Sequence, residues 1–438
     1  MTRSTAMEKQ HPWIIVGGGA SGLAAAFFLR QRGLESVIVE RDGVIGGRMA
    51  TVQLGERSLD CGGKNIGRAY RLFREFAASL GTHRLEYFGL NSSQAIEGSV
   101  RTLEARSRWR SMASLVRGVA ARDLVRFGRL LWSVKSDEAK GYLGSPFSRT
   151  LGNRYDERPA SHYFSPEFCG RILRPMSVRM NGAEPDEVYV GNLTSNVRML
   201  LDTYEQFTDG IAPVLRGFLS RYAVRLNTAT EGILVSGGRA TGVRVRCPDG
   251  RVAALHGAGV IVATPAHVAA TFTETMLPNL SRRLRSIAYY PVSLIVAEYD
   301  RPIFSPSQRA FVFDSDTPVS NAGAYGVNDL HLVRYTFSGR ASRRHISDAA
   351  DDEALLAIAE GALAKYVTVP RGSRLRFAAK RFSPGLCAYA PHHARLIDDV
   401  HEELKKVTGL HLTGDYMQGA SIEACFRSAS ACVRQLTN

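Results

Sequence analysis

A short apolar run, Trp13-Ile14-Ile15-Val16, breaks directly into Gly17-Gly18-Gly19-Ala20-Ser21-Gly22. A helical pattern follows from Leu23 to Arg32 and stops at Gly33. A second apolar run, Ser36-Val37-Ile38-Val39, then ends in Glu40. Strand, glycine turn, helix, strand and acid within about 30 residues make a βαβ unit that binds a dinucleotide. Each position has a physical reason. Gly17 permits the tight turn, Gly19 lets the backbone approach a pyrophosphate, and Gly22 lets helix and strand pack closely. The first helical residues, Ala20 and Ser21, offer free N–H groups and a positive dipole end to phosphate. Glu40 is placed to accept hydrogen bonds from a ribose diol. Arg41 falls one position late to mark a 2′-phosphate.

A second turn separates the two common dinucleotides. After Glu40 come Gly46-Gly47-Arg48 and then Asp60-Cys61-Gly62-Gly63-Lys64-Asn65-Ile66-Gly67. Nicotinamide dehydrogenases have no use for this second set. On these residues the chain resembles the flavoprotein superfamily of monoamine oxidases, protoporphyrinogen oxidases and phytoene-type desaturases. The resemblance implies non-covalent FAD. Gly47 and Arg48 would pass the pyrophosphate, and Gly62 and Gly63 would run beside the isoalloxazine.

The same resemblance covers two later stretches. Residues 223–264 read as strands joined by hairpin turns at Gly237-Gly238 and Asp249-Gly250. In the family this unit contacts the adenosine, here through Ile233. Near the end, Leu410-His411-Leu412-Thr413-Gly414-Asp415 leads to a helix starting near Ser421 and Ile422. That resembles the closing FAD motif, with Gly414 and Asp415 near the ribityl or pyrophosphate and the helix N-terminus aimed at the flavin. The expected fold is α/β. A discontinuous Rossmann-like FAD domain (12–75, 215–270 and 385–438) carries a mixed α+β substrate domain (76–214 and 275–384).

Composition narrows the class. The 438 residues are 45% hydrophobic and 22% charged, which excludes a disordered chain. Six cysteines form no Cys-x-x-Cys pair, and the histidines have no metal spacing, so no metal is expected. No secretory leader is read at the N-terminus, and reduced thiols suit a cytoplasmic protein.

Lys+Arg 56 against Asp+Glu 41 gives a net charge of +15, mostly from arginine. Residues 101–135 hold nine basic residues and two acids, about half of that excess. Apolar Val116, Ala120, Leu124, Phe127, Leu131 and Val134 keep helical spacing there, with Arg122, Arg126 and Arg129 off the stripe. A solvated face is the plain reading. As a functional surface, the segment suits an anionic membrane or an acidic carrier protein; base-reading motifs for nucleic acid are absent.

For the chemistry, three positions separate the branches of the family. Many amine oxidases carry a lysine on the strand 290–296, where this chain has Leu294. Tyr389 matches one of the two aromatics that frame an amine, but the other falls near Ser421. Lys64 and Asn65 follow the glycine pair, and Asn65 replaces an aromatic. With Lys64, Asn65 and Tyr389 as the catalytic candidates, these departures favour a dehydrogenase or desaturase. Its small-molecule substrate is largely apolar or conjugated, with Lys64 able to meet an anionic group. The alternatives are an amine or amino-acid-derived substrate, a redox-neutral isomerisation, and a lipid-binding escort protein without flavin. The escort reading requires loss of residues that are present here: Glu40, Arg48, Gly414 and Asp415.

Overall fold

The computed structural model describes residues 11–89, 91–96, 99–104, 113, 115–347 and 351–437. Its organising layer is a five-stranded parallel sheet. The strand order is Ala223–Arg225, Ser36–Val39 (β2), Trp13–Val16 (β1), Val260–Val262, Leu410–Leu412. Strands buried on both faces read as unbroken apolar runs, and these do. Ile15, Ile38 and Ile261 enter one core, while Ile14, Val16, Val37, Val39, Val260 and Val262 enter the other.

The first core is covered by helix α1 (Ala20–Gln31), helix α2 (Arg71–Leu80) and the closing helix Ile422–Arg434. Phe73, Phe76 and Phe426 interlock there, with ring centroids 5.0–6.2 Å apart. The second core is covered by an antiparallel sheet, Ala229–Ser236, Arg239–Arg246 and Val252–His256, and by helices including His393–Leu404.

A seven-stranded mixed sheet forms the second layer system. Its order is Arg374–Tyr389, Ala288–Tyr299, Leu332–Phe337, Asn321–Ala324, Ala310–Val312, Asn91–Ile96 and Ser99–Glu104. One face packs Ile295, Ala297, Tyr299, Val333, Tyr335 and Phe337 against the helix Asp352–Leu363. Side chains alternate along a strand, so Leu294, Val296, Arg334 and Thr336 share the opposite face. The strand Arg374–Tyr389 runs straight through position 385, where the sequence suggests a domain edge. It is bonded to Ala288–Tyr299 over almost its whole length.

The basic helix is shorter than its periodicity suggests. It spans Ala121–Ser136, and Gly118, with φ of 83°, stands in the turn that precedes it. Phe127, Leu130 and Val134 are buried, while Arg122, Arg126 and Arg129 are exposed. Arg106, Arg108 and Arg110 lie outside the described residues.

Candidate functional site

The glycine turn is tightly fixed. Gly17 has φ of 102°, a conformation that favours glycine. A Cβ on Gly22 would stand 1.9 Å from the Gly17 carbonyl oxygen, so the helix can approach β1 only with glycine there. Gly19 differs: nothing lies within 4 Å of its absent Cβ. It caps the twelve-residue α1, whose first N–H groups have no intrahelical acceptor. The turn therefore offers donors to open space. At the end of β2, Glu40 accepts from the Gly18 N–H at 2.6 Å and the Asp42 N–H at 2.9 Å. Arg41 stands in solvent, 3.7 Å from Asp42.

The second turn is tied to the first, with the Gly46 N–H donating to the Gly18 carbonyl at 2.8 Å. The Gly63 N–H donates to the Arg48 carbonyl at 3.0 Å. A Cβ on Gly62 would stand 2.1 Å from that same oxygen. Gly47 passes Gly19 closely, its absent Cβ 3.2 Å from the Gly19 Cα. Arg48 donates to Asp415 at 2.6 Å and to the Gly385 carbonyl at 2.9 Å. The Tyr289 hydroxyl donates to the other Asp415 oxygen at 2.7 Å and receives the Ala266 N–H at 3.3 Å. Burial works against the Arg48 charge, but the Asp415 carboxylate outweighs it and raises the arginine's pKa. Gly414 precedes this carboxylate with extended backbone.

Gly63 stands beside the start of the closing helix, its absent Cβ 3.6 Å from Ile422, and Lys64 and Asn65 follow it in the chain. Ser421 caps that helix, accepting the Ala424 N–H at 3.1 Å. Glu423, fully buried, receives the N–H groups of Leu72 (3.2 Å) and Phe73 (3.1 Å) at the start of α2. Lys64 is 6% exposed and donates to Gln206 at 2.6 Å and to the Tyr325 carbonyl. Its ammonium also lies 3.9 Å from the Phe88 ring centre. Burial, reinforced by the neighbouring Arg334 charge, pushes the Lys64 pKa well below the usual lysine range. The Asn65 side-chain oxygen is buried without a hydrogen-bond partner.

Tyr389 adopts φ of 67°, and its hydroxyl accepts the Ala420 N–H at 2.8 Å. Its hydroxyl thus fixes the turn before the closing helix. With Ser421 as a helix cap, no second aromatic residue faces Tyr389 from that position. Leu294 is buried and paired with Thr336 and Lys380; Lys380 is exposed. Ile233 lies in the strand Ala229–Ser236, partly buried against the second core. On the same strand the Thr230 hydroxyl is buried without a partner.

These features fit an FAD. Donor N–H groups face open space at Gly19, a fixed carboxylate stands at Glu40, and two buried polar atoms, on Asn65 and Thr230, lack partners. Glu40, Gly17, Gly19, Gly22, Gly47 and Arg48 converge on one place, Asp415 joins them, and Gly62–Asn65 extends from it. Of the other expected residues, Arg41 stands in solvent and Ile233 packs against the second core. No group of three or more metal-ligating residues occurs among the described residues.

Sequence reasoning missed Tyr289, the bridge to Asp415, and Arg334, which donates to the Gly62 carbonyl at 2.8 Å. Strand alternation in Leu332-Val333-Arg334-Tyr335-Thr336-Phe337 carries the signal for Arg334, because it shares a face with Thr336, away from the apolar core.

Residues 20–437 match the family described as flavin containing amine oxidoreductase. A Mycobacterium tuberculosis H37Rv protein assigned as the flavin-containing monoamine oxidase AofH is 25% identical over 342 residues. The match covers 70% of this chain and 69% of that one. Protoporphyrinogen oxidase 2 of Arabidopsis thaliana is 23% identical over 176 residues, 39% of this chain and 35% of its own. Among solved structures, cyclohexylamine oxidase from Brevibacterium oxydans IH-35A superposes with a TM-score of 0.74. The two are 18% identical, covering 98% of this chain and 100% of that one.

Proposed function

Because the chain belongs to the family of flavin-containing amine oxidoreductases, we propose that this FAD-dependent oxidoreductase is a dehydrogenase or desaturase of a small, largely apolar or conjugated molecule. Bound FAD supplies the acceptor for a hydride from a substrate C–H bond. The chain's residues do the rest. Glu40 and the α1 N-terminus bind the cofactor's ribose and pyrophosphate. Arg48, held by Asp415 and Gly385, sets a positive charge beside that pyrophosphate. Tyr389 and Ser421 fix the start of the closing helix, whose dipole favours negative charge in front of it. Lys64, driven toward its neutral form, is able to take up a proton at Nζ.

The observation that carries this reading is Leu294, buried where many amine oxidases place a lysine. Anaerobic bleaching of the flavin across a substrate panel tests it. Response to conjugated or prenyl-like compounds is expected; bleaching by simple primary amines alone would overturn it. Oxidation of an amine or amino-acid-derived substrate is the second reading, favoured by the amine oxidases among the relatives.

The helix Ala121–Ser136 supports a peripheral contact with an anionic membrane. Trp132 is 71% exposed and lies one turn from Arg129 and Lys135. No helix among the described residues is long and apolar enough to cross a membrane. Six free cysteines support a cytoplasmic location.

A further inference from the structure

We propose that Asn181 and Asn192 are positioning residues. They fix the backbone on both sides of Tyr389, so that its hydroxyl sets the turn from which the closing helix faces the flavin. This deepens the flavoenzyme reading and rests on it.

Tyr389 is a bulky, buried residue with φ of 67°, and His392, three residues on, has φ of 50°. Left-handed backbone is unfavourable for such side chains and persists only where the surroundings impose it. Here they do. Asn181 Nδ2 donates to the Cys387 carbonyl at 2.8 Å, and Asn192 Nδ2 donates to the Ala390 carbonyl at 2.9 Å. The Ala390 N–H donates to His393 Nδ1 at 3.3 Å, and the His392 N–H donates to the Asp156 carboxylate at 3.1 Å. Four buried side chains thus hold the backbone from 387 to 392.

The two asparagines are themselves fixed. Asn181 ends the helix Arg174–Asn181, and its Oδ1 accepts from Asn196 Nδ2 at 2.7 Å. Asn192 stands just before the helix Leu193–Leu201, and its own carbonyl accepts the Ser195 hydroxyl at 3.0 Å. Asp156 also receives the Gly191 N–H at 2.9 Å, which ties down the same turn. Both helices pack around Leu173, Met176, Leu193 and Val197, a core separate from the two that flank the parallel sheet. A buried carbonyl needs a donor, and an amide supplies one without charge.

One hydrogen bond carries this clamp to the cofactor side. The Tyr389 hydroxyl accepts the Ala420 N–H at 2.8 Å, one residue before Ser421 caps the thirteen-residue closing helix. At the start of that helix, Ile422 stands 3.6 Å from the absent Cβ of Gly63, in the strip expected beside the isoalloxazine. A shift of this turn moves the positive end of a helix dipole relative to the flavin.

The test compares flavin-loaded wild type with Asn181→Leu, Asn192→Leu and Tyr389→Phe. Two quantities are read: the flavin midpoint potential by dye equilibration, and hydrogen–deuterium exchange of the peptide carrying the Ala420 amide. Each variant is expected to speed that exchange and to lower the preference for reduced flavin ~2–10-fold, up to ~30 mV of midpoint potential. The double variant Asn192→Leu/Tyr389→Phe should shift the potential no further than Tyr389→Phe alone, because both act through one bond. Variants that lose stability with potential and exchange unchanged would overturn the proposal, and so would additive shifts in the double variant. If the leucine variants fail to fold, Asn181→Ser and Asn192→Ser take their place, with polar side chains too short to reach the same carbonyls. Purified protein that cannot be loaded with FAD would instead overturn the flavoenzyme reading, and exchange at Ala420 in that protein still reads the clamp.

Discussion

Arg48 and Asp415 are separated by 367 residues in sequence and by 2.6 Å in space. This ion pair joins the second glycine turn to the closing motif, and Tyr289 and Gly385 complete it from the other sheet. Asp415 is 4% exposed and Arg48 about one-third. Asp415→Ala leaves a partly buried cation and an unsatisfied tyrosine hydroxyl. Removing one partner of a buried pair costs about 3–5 kcal/mol; the exposure of Arg48 places this case at the low end. Urea denaturation of the apoprotein measures it. Asp415→Asn, which keeps an acceptor for Tyr289, should lose less.

Two glycines in one turn separate folding from cofactor binding. Gly22→Ala places a methyl against the Gly17 carbonyl and should cost about 1–3 kcal/mol of stability. Gly19→Ala meets no atom within 4 Å, and Gly19 has φ of −79°, which alanine accepts. Its stability should change by less than about 1 kcal/mol, while FAD retained through gel filtration falls sharply. Unchanged FAD content in Gly19→Ala would place the pyrophosphate elsewhere.

His393 gives a pH signature. Burial depresses it to about 4 from 6.5, although its Nε2 lies 2.6 Å from the Tyr416 carbonyl. The folded state therefore binds fewer protons than the unfolded chain between those values. Its contribution is present above about 6.5 and is lost as pH falls toward about 4. Inside that window the slope approaches about 1.4 kcal/mol per pH unit. The difference between wild type and His393→Gln, measured by denaturation at several pH values, isolates it. A constant difference would argue against the shift.

The exposed Trp132 tests the membrane contact. Co-sedimentation with phosphatidylserine vesicles is expected to weaken at high salt and to fall in Trp132→Ala. Binding that survives Trp132→Ala but disappears with salt would point to charge alone, as for an acidic carrier. No vesicle binding at any salt would leave the helix a solvated surface.

Local physics made the cofactor half readable. Each glycine from Gly17 to Gly63 announces a backbone constraint within a few residues of its neighbours, and the strands of the first sheet are plain apolar runs. Arg48 and Asp415 could be named separately, but nothing local says that they meet. The reaction side was less legible for the same reason. Strand alternation sets Arg334 on the face away from the apolar core, but nothing local says that its guanidinium meets the Gly62 carbonyl, 272 positions earlier. Tyr389 was visible as an aromatic residue, whereas its hydroxyl's bond to Ala420 depends on a positive φ that no pattern announces.

The outermost strand of the parallel sheet, Leu410–Leu412, lies beside Val260–Val262 and comes from the last thirty residues of the chain. Translation delivers N-terminal segments first, at about 5–20 residues per second. The ribosome thus releases β1, the glycine turn and Glu40 long before Asp415 and the closing helix exist. A nascent chain holds half a cofactor cradle with no partner for Arg48. A chain that stops before Leu410 lacks both the outer strand beside Val260–Val262 and the carboxylate that receives Arg48, so this cradle closes only once Asp415 has been made.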